Sequence, residues 1–370
     1  MPRCPSTSSP LFIGSGVPGN LLLVPSVEFP TIISQANLGA FNPDRVYAGY
    51  FDSLKCYGYR YSVNEPERHF YPVSTIAING TCPDPQWHGN YLNWAATQTI
   101  DPFRKALTGG HRVVDTATET WLEKARHDRR SLNYFPHRNI TQVQAGPATP
   151  FNSRVVSCID NRGARMSISS AANCGDGSNP NTTNVGIDYN PAVHGNSLVA
   201  ALNVPITYNV SMRVKVCDAG VGVESNCVRY AQGWKPEGLI QEYSQDIRYG
   251  VFGYLNDSNG LRDGGVLRAR MKFVAPNEYL PGRDPSANVA REWDPTTGVL
   301  VQNPNPADAQ ATGGVDFQHR RHQGRIRAAE HQHAAVGGRQ CRQHGGQVAA
   351  GEGQVAAFEA GAHARRQHRD

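Results

Sequence analysis

Cysteines are the residues of this sequence whose type and spacing most clearly suggest chemistry, and the 370-residue chain contains eight of them. Six of these, from Cys56 to Cys227, occur as successive pairs, and each pair flanks a polar loop rich in glycine, asparagine or proline. No two cysteines have the CxxC spacing that a structural zinc site prefers. Disulfide bonds are therefore the better interpretation, and they indicate an oxidising compartment.

The pairing of the six cysteines is open, because six cysteines allow fifteen connectivities. The simplest joins neighbours along the chain: Cys56 with Cys82, Cys158 with Cys174, and Cys217 with Cys227. Six buried free thiols in a cytosolic protein are the alternative. The first and last cysteines, Cys4 and Cys341, lie in ends of unusual composition and are left out of the scheme.

Other motifs that could bind a ligand or catalyse a reaction are weak. The glycines of Gly14–Gly19 have the GxGxxG spacing, but an aliphatic strand follows them instead of a helix, so we interpret them as a turn. Asp257–Asp263 is rich in oxygen ligands, yet Arg268 stands where a calcium-binding EF-hand needs a glutamate. The sequence contains no nucleophile elbow, HExxH or P-loop motif, so we predict no enzyme. A secreted hydrolase whose site carries no sequence signal is the main alternative.

The net charge of +5 is confined to one end of the chain. From Gln318 onward there are nine arginines against four acidic residues, whereas the rest of the chain is balanced. The sequence therefore predicts no nucleic-acid partner. No apolar run approaches the roughly 18 residues of a membrane span. Segment 314–370 lacks leucine, serine, lysine and tyrosine, so we expect a frameshift product, with a disordered tail as the alternative.

The elements that would position these residues alternate between strands and helices. We predict a buried central strand at Asn20–Val24 and further strands at Tyr57–Val63, Val210–Val216, Ile247–Leu255 and Leu267–Phe273. Helices are predicted around Phe103–Leu107, Trp121–Ala125 and Pro236–Tyr243. Segment 151–205 shows no periodicity and is predicted to be a loop insertion pinned by a disulfide. The pattern predicts an α/β sandwich with a mostly parallel sheet.

Several long segments then resemble a known family. They are PLFIGSGVPGNLLLVPSVEFPTI (10–32), YAGYFDSLKCYGY (47–59), GNYLNWAATQTIDPFRKALTGGHRVVDT (89–116), KPEGLIQEYSQDIRYGVFGYLND (235–257), GVLRARMKFV (265–274) and REWDPTTGVLVQNPNPAD (291–308). Their sequence, order and spacing resemble the N-terminal half of PilY-type proteins, which sit at the tip of bacterial type IV pili. The resemblance covers about Pro10 to Thr312.

The resemblance implies a von Willebrand factor A-like fold over 11–275, export through the periplasm, and a location at the pilus tip or the outer-membrane surface. It also implies minor pilins as partners, and roles in pilus biogenesis, adhesion to host or abiotic surfaces and surface sensing. Such proteins carry calcium in a C-terminal propeller, which the resemblance would place beyond Thr312. We therefore expect no cofactor here, a linker at 276–313 leading toward the missing propeller, and a signal peptide upstream of the ragged start at 1–10. A non-functional truncated remnant is a further alternative.

Two sites follow from this comparison. In this type of domain, an Asp-x-Ser-x-Ser motif after the first strand supplies oxygen ligands to a divalent cation. Here those positions are Pro25, Ser26, Val27, Glu28 and Phe29, so we predict that metal binding is lost. The alternating cations Arg268, Arg270 and Lys272 would suit an acidic partner such as a pilin, although a solvated strand face explains them equally well.

Overall fold

The fold comes from a computed structural model. It describes residues 17–25, 34–126, 135–159, 164–172, 174, 186–257 and 262–301. The glycines Gly14 and Gly16, residue Asn259, the start at 1–10 and the tail at 314–370 lie outside these ranges, so the predictions made for them stay predictions.

Eighteen strands and four helices make up the described part of the chain. The strands are β1 Gly19–Leu23, β2 Lys55–Arg60, β3 His69–Thr75, β4 Trp87–His88, β5 Arg112–Asp115, β6 Thr120–Glu123, β7 Arg138–Ile140, β8 Val155–Ile159, β9 Arg165–Ser169, β10 Ile187–Asp188, β11 Thr207–Ser211, β12 Arg213–Val216, β13 Cys227–Arg229, β14 Trp234–Pro236, β15 Ile247–Asp257, β16 Arg262–Lys272, β17 Asn277–Glu278 and β18 Ser286–Ala287. The helices are α1 Gly89–Ala96, α2 Ile100–Thr108, α3 Gln142–Ala148 and α4 Leu239–Glu242.

These strands form three main sheets. The six-stranded sheet has the order β4-β2-β3-β12-β6-β5, the five-stranded sheet β10-β11-β9-β8-β7, and the three-stranded sheet β1-β15-β16. Each sheet has one parallel pair, namely β3 with β12, β10 with β11, and β1 with β15, and its other pairs are antiparallel. The predicted α/β class is therefore right, but the prediction of a mostly parallel sheet is wrong. Many of the connections are hairpins, which only antiparallel strands can use.

Segment 151–205 contributes central strands to the five-stranded sheet. Strands β8 and β9 pair with each other, and Val155, Met166 and Ile168 are completely buried. The prediction of a loop insertion instead of core structure is therefore wrong for these strands, although the predicted disulfide between Cys158 and Cys174 is present. The two strands are only five residues long and lie between glycine- and asparagine-rich stretches, so their alternation is too short to be recognised.

The predicted strand Val210–Val216 is divided between two sheets. Strand β11 pairs with β9 in the five-stranded sheet, whereas β12 pairs with β3 and β6 in the six-stranded sheet. Met212 lies between the two strands. Its N–H donates a hydrogen bond to the carbonyl of Ala164, and its carbonyl accepts one from the N–H of Lys124. One continuous segment therefore ties the two sheets together.

The largest hydrophobic cluster is drawn from these two sheets and from α1 and α3. It is unusually aromatic. Trp87 is fully buried and meets the rings of Phe70, Phe151 and Tyr189 edge-on, with centroids 5.8, 5.5 and 6.1 Å away. Edge-to-face contacts of this kind add to the free energy gained from burial alone.

The three-stranded sheet packs on a second, smaller cluster. Its members include Ile240 from α4, Tyr249 and Val251 from β15, and Trp293. Residues 276–301 thus fold against this cluster and are not an extended linker over their described part.

The predicted helices have mixed outcomes. Helix α2 ends at Gly109, whose φ of 82° is left-handed and suits glycine, as predicted. Residues Thr120–Glu123 form strand β6 instead of the predicted helix. Their helical pattern is only one turn long, so pairing with β12 and β5 on both sides decides the conformation.

Candidate functional site

The three-stranded sheet carries the predicted cationic stripe, and its first strand precedes the predicted metal motif in the sequence. Strand β1 ends just before Pro25, and β16 carries the three cations. Pro25 is buried, while Ser26, Val27, Glu28 and Phe29 lie outside the described residues. The predicted loss of the metal ligands at these positions therefore stays a prediction.

The cationic stripe is not uniform. Lys272 Nζ lies 2.8 Å from Glu292 Oε1 and donates a hydrogen bond of 2.8 Å to the carbonyl of Ala290. Its side chain is only 12% exposed. Lys272 is thus bound within the fold. Arg270 is exposed and Arg268 is half-buried. Their role in binding a partner stays a prediction.

Strand β1 is an edge strand in the described part of the chain, although its sequence predicts a buried central strand. It pairs in parallel with β15 along one side only. Leu21 and Leu22 are 42% and 49% exposed, and Val24 just after the strand is 53% exposed. Aliphatic parallel strands are normally covered on both faces. The exposed leucines and valine therefore indicate that the described residues do not fully cover β1.

The outer face of this sheet is apolar. Gly250 of β15 pairs with Leu22, and a Cβ placed on Gly250 would lie 3.2 Å from Leu22 Cδ1 and 3.4 Å from Met271 Cε. Leu22 and Met271 therefore meet above Gly250, and Leu267, opposite Phe252, is 54% exposed. An exposed aliphatic face next to an open strand edge is typical of a surface that another chain segment covers.

In the described part of the chain, three disulfide bonds join residues outside the three-stranded sheet. They join Cys56 to Cys82, Cys158 to Cys174 and Cys217 to Cys227, the same pairs that the sequence makes simplest. Glu224 lies close enough to Cys217 and Cys227 for the three to resemble a metal-ligand set. The two sulfurs are bonded to each other, however, and Glu224 accepts hydrogen bonds from Lys55 Nζ at 2.9 Å and the Cys217 amide at 2.7 Å. The three residues therefore stabilise the fold through a disulfide bond and hydrogen bonds, and their ligand atoms are already occupied.

A buried charge network connects the six-stranded sheet to the second cluster. Asp115 accepts hydrogen bonds from Lys235 Nζ at 2.8 Å, Arg112 at 3.1 Å and the Leu300 amide at 2.9 Å. Burial alone would raise the pKa of Asp115, but Arg112 and Lys235 outweigh it and hold the pKa below its ordinary value. The carboxylate stays ionised and joins three separate segments.

Carboxyl groups with a raised pKa are the feature that would favour a hydrolase. Among the described residues these are Asp101 and Glu237, and burial is the main cause in both. Asp101 accepts hydrogen bonds from the backbone N–H groups of Gln98 and Ala125. Glu237 accepts a hydrogen bond of 2.5 Å from the hydroxyl of Tyr230. Each carboxyl group is occupied by a local structural contact, which gives the hydrolase alternative no support.

A further surface went unnoticed in the sequence. On the outer side of the six-stranded sheet, His69 stacks on Trp121 with centroids 3.7 Å apart, and Arg60 lies over Tyr71 at 5.9 Å. Two of these residues lie on β3, where His69, Tyr71 and Val73 alternate with inward residues. The alternation in β3 is the sequence signal for this surface, but the sequence predicts a helix at Trp121, which does not place it beside β3.

Two segments that carry the family resemblance pack on each other. Asn93 of α1 donates to the carbonyls of Tyr47 and Phe51 at 3.0 and 2.9 Å, and Asn90 accepts the amide of Tyr47 at 2.9 Å. Gly49 is needed here, because a Cβ on it would lie 2.0 Å from Asn93 Oδ1. The unusual spacing of these motifs thus has a packing reason.

Comparison with known proteins agrees with the resemblance. The family model described as "PilY1 homolog, small alpha/beta domain" matches residues 39–185. A type IV pilus biogenesis factor PilY1 homolog of Xylella fastidiosa strain Temecula1 is 51% identical over 321 residues, which cover 83% of this chain and 25% of that protein. A second PilY1 homolog of the same strain is 24% identical over 287 residues, or 72% of this chain and 18% of that protein.

No solved structure matches the chain. The chain spans about a quarter or less of the length of these curated relatives. The matched segment 39–185 includes α1, the loop at 47–51 that hydrogen-bonds to α1, and most of the six-stranded sheet. The chain therefore belongs to the PilY family of type IV pilus biogenesis factors.

Proposed function

We propose that this chain is part of a non-enzymatic type IV pilus biogenesis factor that acts at the pilus tip and supports adhesion to surfaces and surface sensing. The observation that carries the proposal is the 51% identity to a pilus biogenesis factor over 83% of the chain. Pilus assembly is the activity in that relative's name. Adhesion, surface sensing and contact with minor pilins extend it to the role that tip proteins of this type have.

The envelope or the cell surface is the proposed location. Three disulfide bonds favour an oxidising compartment such as the periplasm. No helix in the described part of the chain has the length and apolar character needed to cross a membrane. We propose export through the periplasm to the pilus tip or outer-membrane surface.

The geometry of the three-stranded sheet favours the proposal that the full-length protein has a larger, von Willebrand factor A-like sheet. Strand β1 is aliphatic and parallel to β15, its one partner among the described strands, and Leu21 and Leu22 are 42% and 49% exposed. Trp293 and Leu300 belong to or pack against the same hydrophobic cluster as Leu23, so the chain leaves the described part close to this sheet. We propose that a strand from the rest of the protein pairs with β1 and covers Leu21 and Leu22.

Genetic complementation tests the proposal. In a piliated bacterium lacking its own PilY-type gene, we would express the full-length protein that contains this sequence, and count pili by electron microscopy. The proposal expects restored pili and restored surface attachment. Leu22→Asp, which places a charge on the proposed buried strand, should abolish both, whereas Leu38→Asp, at a 67% exposed leucine elsewhere, should not.

Two results would contradict the proposal. Normal piliation in the absence of the protein would remove the biogenesis role. Restored pili without restored attachment would remove the adhesive role alone. The present 370-residue chain, expressed by itself, tests the remnant alternative, which expects neither pili nor attachment. Immunoblots of the periplasmic and surface fractions provide the control for export.

A further inference from the structure

We propose that the outer face of the six-stranded sheet binds an acidic polysaccharide, with sugar rings on Tyr71 and Trp121 and a sugar carboxylate on Arg60. We call this surface the aromatic face; its residues are Gly58, Arg60, His69, Tyr71, Trp121 and Lys215. The biological purpose of such binding rests on the proposed adhesive role. The binding itself is a property of the folded chain and can be measured on it.

Tyr71 forms one end of the aromatic face. Its ring lies across Gly58 on the neighbouring strand, because a Cβ placed on Gly58 would come within 2.5 Å of Tyr71 Cζ. The absence of a side chain at Gly58 thus lets the ring rest on the sheet. Tyr71 is 37% exposed, so part of its ring faces solvent beside the guanidinium of Arg60, which lies 5.9 Å from the ring centroid.

Trp121 forms the second aromatic position. The rings of His69 and Trp121 are stacked at 3.7 Å with an interplanar angle of 26°. His69 is buried and its Nδ1 is held by the carbonyl of Glu67 at 2.7 Å, whereas Trp121 is only half-buried. The indole of Trp121 therefore covers the buried imidazole of His69, and the imidazole fixes the position of the indole on the sheet.

The rings of Tyr71 and Trp121 each suit one sugar. Trp121 of β6 reaches across β12 to stack on His69, and the ring of His69 lies 6.4 Å from that of Tyr71, so the two rings flank His69. The face of an aromatic ring carries partial negative charge, and the C–H groups on one side of a pyranose carry partial positive charge. A sugar ring can therefore stack on each aromatic ring.

The charges of the face select an acidic ligand with widely spaced carboxylates. Arg60 is exposed and forms no ion pair among the described residues. Lys215, by contrast, lies 2.9 Å from Asp218 and 3.7 Å from Glu119. One unpaired cation suits one carboxylate, whereas nucleic acid needs a continuous run of cations along its phosphates. This balance favours an acidic polysaccharide over single-stranded nucleic acid.

The test is a binding titration with the purified chain, its disulfides intact, followed by tryptophan fluorescence and calorimetry. The probes are oligogalacturonate, the neutral oligogalactose of the same length, and oligothymidylate. We expect saturable binding of oligogalacturonate, at least about tenfold weaker binding of oligogalactose, and no binding of oligothymidylate.

Four variants locate the site. Tyr71→Ala and Trp121→Ala should each weaken oligogalacturonate binding about tenfold or more. Arg60→Gln should reduce it to the affinity of oligogalactose. Gly58→Ala leaves Tyr71 in place but displaces its ring, and because only the end of a side chain must move, the fold should persist. It should weaken binding as Tyr71→Ala does.

The matched control is Tyr243→Ala, which removes a 42% exposed tyrosine from the end of α4, and it should bind like the parent chain. The proposal is overturned if the folded parent does not bind oligogalacturonate, if oligothymidylate binds instead, or if Gly58→Ala and Tyr71→Ala bind normally. None of these outcomes changes the piliation result, so failure here is distinct from failure of the biogenesis role.

Discussion

The two large sheets and the three-stranded sheet bury their hydrophobic residues to very different degrees. Trp87, Tyr57 and Phe70 between the large sheets are completely buried, whereas Leu21 and Leu22 of the small sheet are nearly half exposed. The three disulfides also connect residues outside the small sheet. The comparison indicates that the first region buries its own apolar side chains, whereas in the described part of the chain the second region leaves those of an aliphatic strand nearly half exposed.

The largest expected effect comes from the core of the first region. Trp87→Ala should lower the free energy of unfolding by about 3–5 kcal/mol, because it removes a fully buried ring and leaves a cavity. Leu22→Ala on the small sheet should cost only about 0.5 kcal/mol. Denaturant unfolding of both variants measures the difference. Equal costs would mean that β1 is covered in this chain and would remove the contrast.

The disulfides should differ in their contribution according to the length of chain that they close. Cys56 and Cys82 are 26 residues apart, Cys158 and Cys174 are 16 apart, and Cys217 and Cys227 are 10 apart. Paired serine substitutions should therefore cost about 3.5, 3 and 2.5 kcal/mol, because a longer closed loop restricts the unfolded chain more. Thermal unfolding of the three double variants tests this order. A reversed order would show that local packing outweighs chain entropy.

Lys272 should be the stripe residue that matters for stability. Lys272→Gln removes the ion pair with the buried Glu292 and should cost about 1–3 kcal/mol. Arg270→Gln, at an exposed position two residues earlier, should change stability by less than about 0.5 kcal/mol. If both variants unfold alike, the contact of Lys272 with Glu292 contributes no more to stability than the exposed position of Arg270 does, and the distinction within the stripe is wrong.

The smallest effect is the pH dependence of the joint between the two regions. The pKa of Asp115 is lower in the folded chain than in the unfolded chain. Its contribution to stability is therefore complete above the unfolded pKa of about 3.9 and is lost as the pH falls below it. Asp115→Asn should be less stable than the parent at pH 6, and this gap should narrow toward pH 2. A constant gap would show that ionisation of Asp115 contributes nothing.

Sequence reasoning succeeded where the signal was local or covalent. Strand β15, the hairpin to β16, and helix α2 with its stop at Gly109 follow from alternation and from turn residues within one segment. It failed at Thr120–Glu123 and at β8 and β9, where the strands are four or five residues long. Such short strands obtain their conformation from partners far along the chain, and a local pattern contains no information about those partners.

The candidate sites show the same division. The cations of β16 were visible in the sequence, but the separation of Lys272 from Arg270 depends on where Glu292 folds. The aromatic face was not visible, since it combines residues of β2, β3, β12 and β6 that are up to 157 positions apart, from Gly58 to Lys215. Only pairing across the sheet brings them together.

By itself, the sequence determined the family, the disulfide chemistry and the neutral body of the chain, because these depend on residue types and their order. The tertiary structure decided that the sheets are mostly antiparallel, that Val210–Val216 serves two sheets, and that β1 is left at an edge. Strand neighbours are chosen by long-range packing and hydrogen bonding, and the same aliphatic strand can lie at the centre of a sheet or at its edge without any change in its sequence.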